Sequence, residues 1–130
     1  MAELEAALLT RLTAYGDLTA LISSRVYPLI LPQEPTYPAV TYQRIDGPRE
    51  HGMTQDHGLP HPRIQIDSWG KTYASAKAVA TQVRGALQRW SDAGASPVVL
   101  DCFLESDEDG YEPEAGTYKV SQAWTIWHRE

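Results

Sequence analysis

The residues in this chain that could carry chemistry are its histidines, its one cysteine and one dense run of acids. His51, His57 and His61 fall in a single short stretch with Asp56 beside them, and imidazole and carboxylate are ordinary zinc ligands. However, Gly58, Leu59 and Pro60 separate His57 from His61, and Pro62 follows. The pair therefore cannot lie one turn apart on a helix, which removes the zincin arrangement. A metal would have to take its ligands from one loop that offers no outer partners to orient them. The plainer reading is a polar loop that is rich in histidine, and the expectation is no metal and no cofactor. Cys102 sits in the alternating run Val98, Leu100, Cys102, Leu104, where a free thiol acts as a small buried hydrophobe. A nucleophilic role needs a histidine alongside, and His128 could serve only from the far end of its own strand. Nucleophile elbow, phosphate-cradling loop and dinucleotide fingerprint are all missing, so the expectation is that the chain is not an enzyme.

Residues 105–114 hold Glu105, Asp107, Glu108, Asp109, Glu112 and Glu114 without a base. The spacing of an EF-hand calcium loop and its flanking helices is missing. Such a run reads as a solvated hairpin tip, or as a surface that repels passing nucleic acid. Tryptophan supplies the other large side chains. Trp90 and Trp124 fall on apolar faces and are expected in the core, whereas Trp69 and Trp127 fall on the opposite faces of their strands. Tryptophan in that position suits a contact between subunits.

The elements that must position these groups follow from periodicity. Leu4, Leu8, Leu12 and Tyr15 predict a helix over Ala2 to Tyr15, stopped by Gly16, and Asp17 could cap a short second turn carrying Leu18, Leu21 and Ile22. Arg25 to Pro32 is apolar but interrupted by two prolines, which predicts an extended edge or a packed loop. Alternation predicts a strand from Pro38, with Val40, Tyr42 and Arg44 on one face, and a second over Arg63 to Gly70 with Ile64 and Ile66 inward. Between them Arg49 to Pro60 reads as a long mobile loop. Tyr73, Ala76, Ala80, Val83, Leu87 and Trp90 predict a helix over Thr72 to Trp90, capped by Thr72 and ended by Asp92 to Gly94. Val98 to Leu104 and Thr117 to His128 predict an antiparallel hairpin around the acidic turn.

The expected fold is therefore α+β: a mostly antiparallel sheet of about four strands with two helices packed on one face. Its second face carries both the polar Arg63, Gln65 and Asp67 and the large Trp127, which suits a surface covered by another copy. At 130 residues and 14.5 kDa the chain makes one domain, spanning 1–130. A net charge of −6 disfavours sequence-independent binding to nucleic acid through a basic surface. No apolar run approaches the ~20 residues that span a bilayer. Met1 to Leu12 carries Glu3, Glu5 and Arg11 rather than the layout of a signal peptide, so a soluble intracellular product is expected.

Four stretches carry a resemblance: Arg25-Val26-Tyr27-Pro28 with Leu31-Pro32; Pro38 to Ile45; Arg63 to Trp69 leading into Tyr73-Ala74-Ser75-Ala76-Lys77; and Tyr111-Glu112 through Tyr118-Lys119-Val120-Ser121 to Trp127-His128-Arg129-Glu130. In this order and spacing the chain resembles the tail-terminator, or tail-completion, proteins of siphophages and gene-transfer particles. The resemblance implies a structural virion protein at the tail neck, assembled in the host bacterial cytoplasm, without catalytic residues. It implies a hexameric ring that caps the tail tube, ends elongation and joins the head connector. The implied partners are other copies of the chain, the tail tube protein and the connector or stopper protein, with DNA passing through without specific binding and no membrane. By analogy the loop with Arg49, Glu50, His51, Asp56, His57 and His61 contacts tail or connector. The acidic hairpin with Asp107, Glu108, Asp109, Glu112 and Glu114 by the same analogy faces the lumen or the connector; from the reading of the strand faces, Arg63, Asp67, Trp69 and Trp127 are the candidate residues between subunits. A monomeric head–tail adaptor, or a small metal enzyme using the histidine loop, are the rival readings.

Overall fold

A computed structural model describes residues 4–46, 50–51, 56–57, 61–94 and 98–129. The order is α1 (Leu4–Ala14), α2 (Gly16–Ile22), β1 (Val26–Pro28), β2 (Ala39–Asp46), β3 (Glu50–His51), β4 (Asp56–His57), β5 (Arg63–Gly70), α3 (Tyr73–Leu87), β6 (Val99–Glu112) and β7 (Thr117–His128). Five strands form one sheet in the order β1-β2-β5-β7-β6, antiparallel except that β1 lies parallel to β2. The α+β class is as expected, with one more strand and one more helix than the pattern predicts.

Register explains which face is buried. Val40, Ile66, Ile64, Trp124, Ile126 and Cys102 share one face of the sheet, and Leu8, Leu12, Leu18, Ile22, Val79 and Val83 of the helices close over it as one core. All three helices pack on that face. Along β5 half-buried and buried residues alternate without interruption, the mark of a strand with one face in a core.

Local chemistry sets the helix ends. Thr72 caps α3, its Oγ1 accepting from the Ser75 amide at 3.1 Å. Thr72→Ala is expected to cost about 1 kcal/mol and lower Tm by roughly 3–5 °C in a thermal melt. At its other end α3 stops at Leu87, short of Trp90, because Arg89 turns into the left-handed region (φ 62°) and donates its amide to the Cys102 carbonyl at 2.8 Å. Gly16 likewise opens α2 instead of ending α1; Tyr15 breaks the helix between them, and Asp17 is not the cap. Tyr73, expected on the inward stripe, stands at the rim and is 45% exposed.

Gly70 lets the end of β5 pass directly beneath α3, since a Cβ there would lie 2.7 Å from the Ala76 backbone nitrogen. Backbone cannot swing aside as a side-chain tip can, so Gly70→Ala is expected to destabilise by about 1–3 kcal/mol in a denaturant titration.

Of the two readings of Arg25 to Pro32 the extended edge holds: Val26–Pro28 is β1 at the edge of the sheet, and Leu29 and Ile30, 66% and 77% exposed, project beyond it. Two further expectations change. Within the stretch read as a loop, Glu50 pairs with His57 and His51 with Asp56, a two-stranded ribbon. The acidic run is not a hairpin tip: through Glu112 it is the second half of β6, and of its acids only Glu114 lies in the turn. Cross-strand bonding to β7 holds those acids extended, because their alternate side chains can stay in water at the edge of a sheet.

Candidate functional site

The face of the sheet opposite the helices is the surface the fold leaves for another molecule to meet. Among the described residues no helix packs on it. β5 presents Arg63, Gln65, Asp67 and Trp69 there, and β7 presents Lys119, Ser121, Ala123, Thr125 and Trp127. Each is set by the strand period of two, so residues that sequence alternation placed outward are brought into adjacent rows.

Both tryptophans are anchored. Trp69 donates its indole N–H to Thr41 Oγ1 at 3.0 Å, and the Lys119 ammonium stands 5.3 Å from the ring centroid. The His61 ring stacks on Trp127 with centroids 4.1 Å apart and planes 15° from parallel. Asp67 accepts from the Gln65 side-chain amide at 3.0 Å. At the corner, Arg89 pairs with Asp101 at 3.0 Å and lies 4.7 Å above the Phe103 ring. Large rings held in place with few free rotors lose little entropy on being covered, which is what an interface anchor requires. The covering of Trp127 that its position suggested is supplied in part by His61 of the same chain.

The acids divide by partner. Asp109 accepts from the Tyr73 hydroxyl at 2.6 Å and pairs with Lys77 at 3.2 Å, clamping β6 to the start of α3. The hydrogen bond from Tyr73, then that from Lys77, holds the Asp109 carboxyl below its ordinary range, and the bond to Asp109 raises Lys77. For Asp109 the stabilising effect is present above the unfolded carboxylate pKa of about 4 and lost as pH falls through the folded value. For Lys77 it is present below about 10.4 and lost as pH rises through the folded value. The Tm advantage of the wild type over Asp109→Asn is therefore expected to hold near neutrality and vanish under acid, as read by melts across pH. Glu112 pairs with Lys119 at 3.6 Å, and Glu105 accepts from Thr125 at 2.7 Å.

Among the described residues catalytic groups do not converge. Among the described residues no three histidine, cysteine or acidic side chains could hold a metal. Arg49 lies outside the described residues, and of Glu50, His51, Asp56 and His57 only the strand pairing is described. The His61 ring stacks on Trp127. Cys102 is buried in the core, and that burial drives its thiol pKa upward, away from the thiolate a nucleophile needs. A groove of about 420 Å³ beside α1 is lined by Ala6, Ala7, Thr10, Arg11, Ala14, Asp92 and Gly94, and holds no nucleophile–base pair. Sequence reasoning missed the Tyr73, Tyr111 and Tyr118 cluster at the far end of β6; Tyr111 and Tyr118 fall at opposed positions of the final hairpin, and correct pairing of its register would have revealed them.

The fold, a sheet with helices on one face, is similar to that of a chain of the solved "Virion of native gene transfer agent (GTA) particle", which superposes with a TM-score of 0.79 at 18% identity, over 98% of this chain and 95% of that one. No curated protein sequence matches. The family described as "Tail completion protein gp17" matches residues 6–129, and the chain belongs to it. The family's description makes its role structural, in the completion of a tail. Among the described residues no helix is long and apolar enough to cross a membrane.

Proposed function

We propose that this chain forms a ring at the tail neck that caps the tail tube, ends its elongation and joins the tail to the head connector. The observation that carries the reading is the face of the sheet on which no helix packs among the described residues, with its two anchored tryptophans. In a ring, one patch of each subunit meets a different patch of the next, and the contact closes after a fixed number of steps, here a hexamer. Arg63, Asp67, Trp69 and Trp127 lie at that contact. The segment with Arg49, Glu50, His51, Asp56, His57 and His61 reaches the tail tube protein. Once the ring is seated, its upper face differs from that of a tube ring, so further tube subunits find no matching surface. DNA passes without specific binding, as a net charge of −6 favours. The subunit performs no catalysis, and it is assembled into the particle in the host cytoplasm.

Electron microscopy of particles made without the protein tests this directly. Tails of uncontrolled length are expected. Tails of correct length that never meet heads would assign the chain to a monomeric adaptor instead.

A further inference from the structure

We propose that the outer edge of β6 between Ser106 and Tyr111 is a strand-addition site for a basic, extended segment of a partner protein. The proposal deepens the reading above by giving the chemistry of one neck partner, and rests on it for where that partner is met.

The argument begins with main-chain accounting along the two edges of the sheet. The first half of β6 is closed by the chain itself: Arg89 donates to the Cys102 carbonyl at 2.8 Å, the Gln88 side chain accepts from the Leu104 amide at 3.1 Å, and Asp92 bridges to Val99. Beyond the bulge between Leu104 and Ser106 this cover ends. In an antiparallel ladder alternate residues aim their backbone groups at the partner strand. Cys102 and Leu104 face outward before the bulge, and the same alternation on β7 leaves Asp107, Asp109 and Tyr111 facing outward after it. Their N–H and C=O groups have no backbone partner among the described residues. The opposite edge differs. β1 is three residues long, Pro28 has no N–H, and the outward amides of Val26 and Ile30 are spent on Ser24 and Pro28. That edge is blunted, whereas the second half of β6 is open.

A second copy is a poor occupant. Its β1 cannot supply a ladder, and its β6 would set Asp107, Glu108 and Asp109 against their own counterparts, which like charges oppose. The charge on the edge instead selects a basic segment. Asp107 and Glu108 have no ion-pair partner among the described residues, while Asp109 and Glu112 are already paired. Tyr111, 52% exposed, packs 4.8 Å from Tyr118, and Tyr73 stands beside them. Exposed tyrosine faces next to an open ladder accept lysine or arginine side chains through cation–π contact. Main-chain bonds would supply affinity, and the alternate side chains on the tyrosine side would supply selectivity.

The test uses the full chain and a synthetic nine-residue peptide alternating lysine with valine and threonine, beside the same peptide N-methylated along one edge. On binding, amide exchange at Asp107, Asp109 and Tyr111 is expected to slow at least tenfold. Asp107→Pro removes one outward N–H and leaves the bonds of Ser106 and Glu108 to β7; it is expected to weaken binding at least tenfold, as is N-methylation. Equal binding of the N-methylated peptide would reduce the site to bulk charge and overturn the proposal, and so would unchanged amide exchange. In particles, Asp107→Pro is expected to leave tail length normal while joined heads fall at least tenfold. Normal joining with impaired DNA passage would place the edge in the lumen and sink strand addition. Loss of length control in particles lacking the protein altogether is read separately, so the ring reading stands or falls by itself.

Discussion

Trp124→Ala is expected to remove about 3–5 kcal/mol of stability, enough to leave up to about half of the molecules unfolded if the total lies at the low end of the usual 5–15. Trp124 is fully buried at the centre of the helix-covered face, between Ile64 on β5 and Leu104 on β6. Truncation would leave a void bounded by strands that cannot collapse without breaking their ladders. Among the described residues its indole N–H also has no hydrogen-bond partner. Trp124→Phe should therefore be far milder, because loss of volume is offset by removal of a polar group buried without a partner. Urea denaturation of the two variants checks this: a large drop for alanine and less than about 1.5 kcal/mol for phenylalanine. Equal losses would mean that the indole nitrogen contributes something the contacts do not reveal.

Ala123→Arg is expected to abolish ring formation while leaving the subunit folded. Ala123 lies on the bare face between Gln65 of β5 and Ser106 of β6, only half-buried. An arginine there can reach solvent in the free subunit, so stability is expected to change by less than about 1 kcal/mol. Against a neighbouring subunit the same side chain is a buried, unpaired charge, and a defect repeated at every contact multiplies around a closed ring. Tails of uncontrolled length in electron micrographs, with an unchanged Tm for the purified variant, are the expected pair of results. Normal tails would show that the ring contact lies on another surface.

These variants probe different surfaces of one subunit. Ala123→Arg addresses the face of the sheet and Asp107→Pro its edge, so length control and head joining should separate between them. The core substitution should remove both together.

Much of the fold is legible in local pattern. Apolar spacing of three and four residues marks α1 and α3, alternation marks β2, β5 and β7, and the Thr72 cap is set by its neighbours within one turn. The same alternation placed Arg63, Asp67, Trp69 and Trp127 opposite the core, because a side chain's face depends only on its place in a strand. The empty search for a catalytic motif likewise needed only residue types and spacing. What the residues could not reveal is decided by partners distant in sequence. β7 inserts between β5 and β6, so the strand before α3 and the strand after it are neighbours of β7 and not of each other. Three residues ending in a proline become β1 only because β2 offers them a ladder. The acids of 105–112 read as a turn by composition, yet β7 holds them as a strand, since cross-strand hydrogen bonds outweigh a weak local preference. That pairing, together with the early end of α3 at Leu87, also decides that half of the edge is closed and half is open. Periodicity is a property of one segment, whereas an edge is a property of the whole sheet.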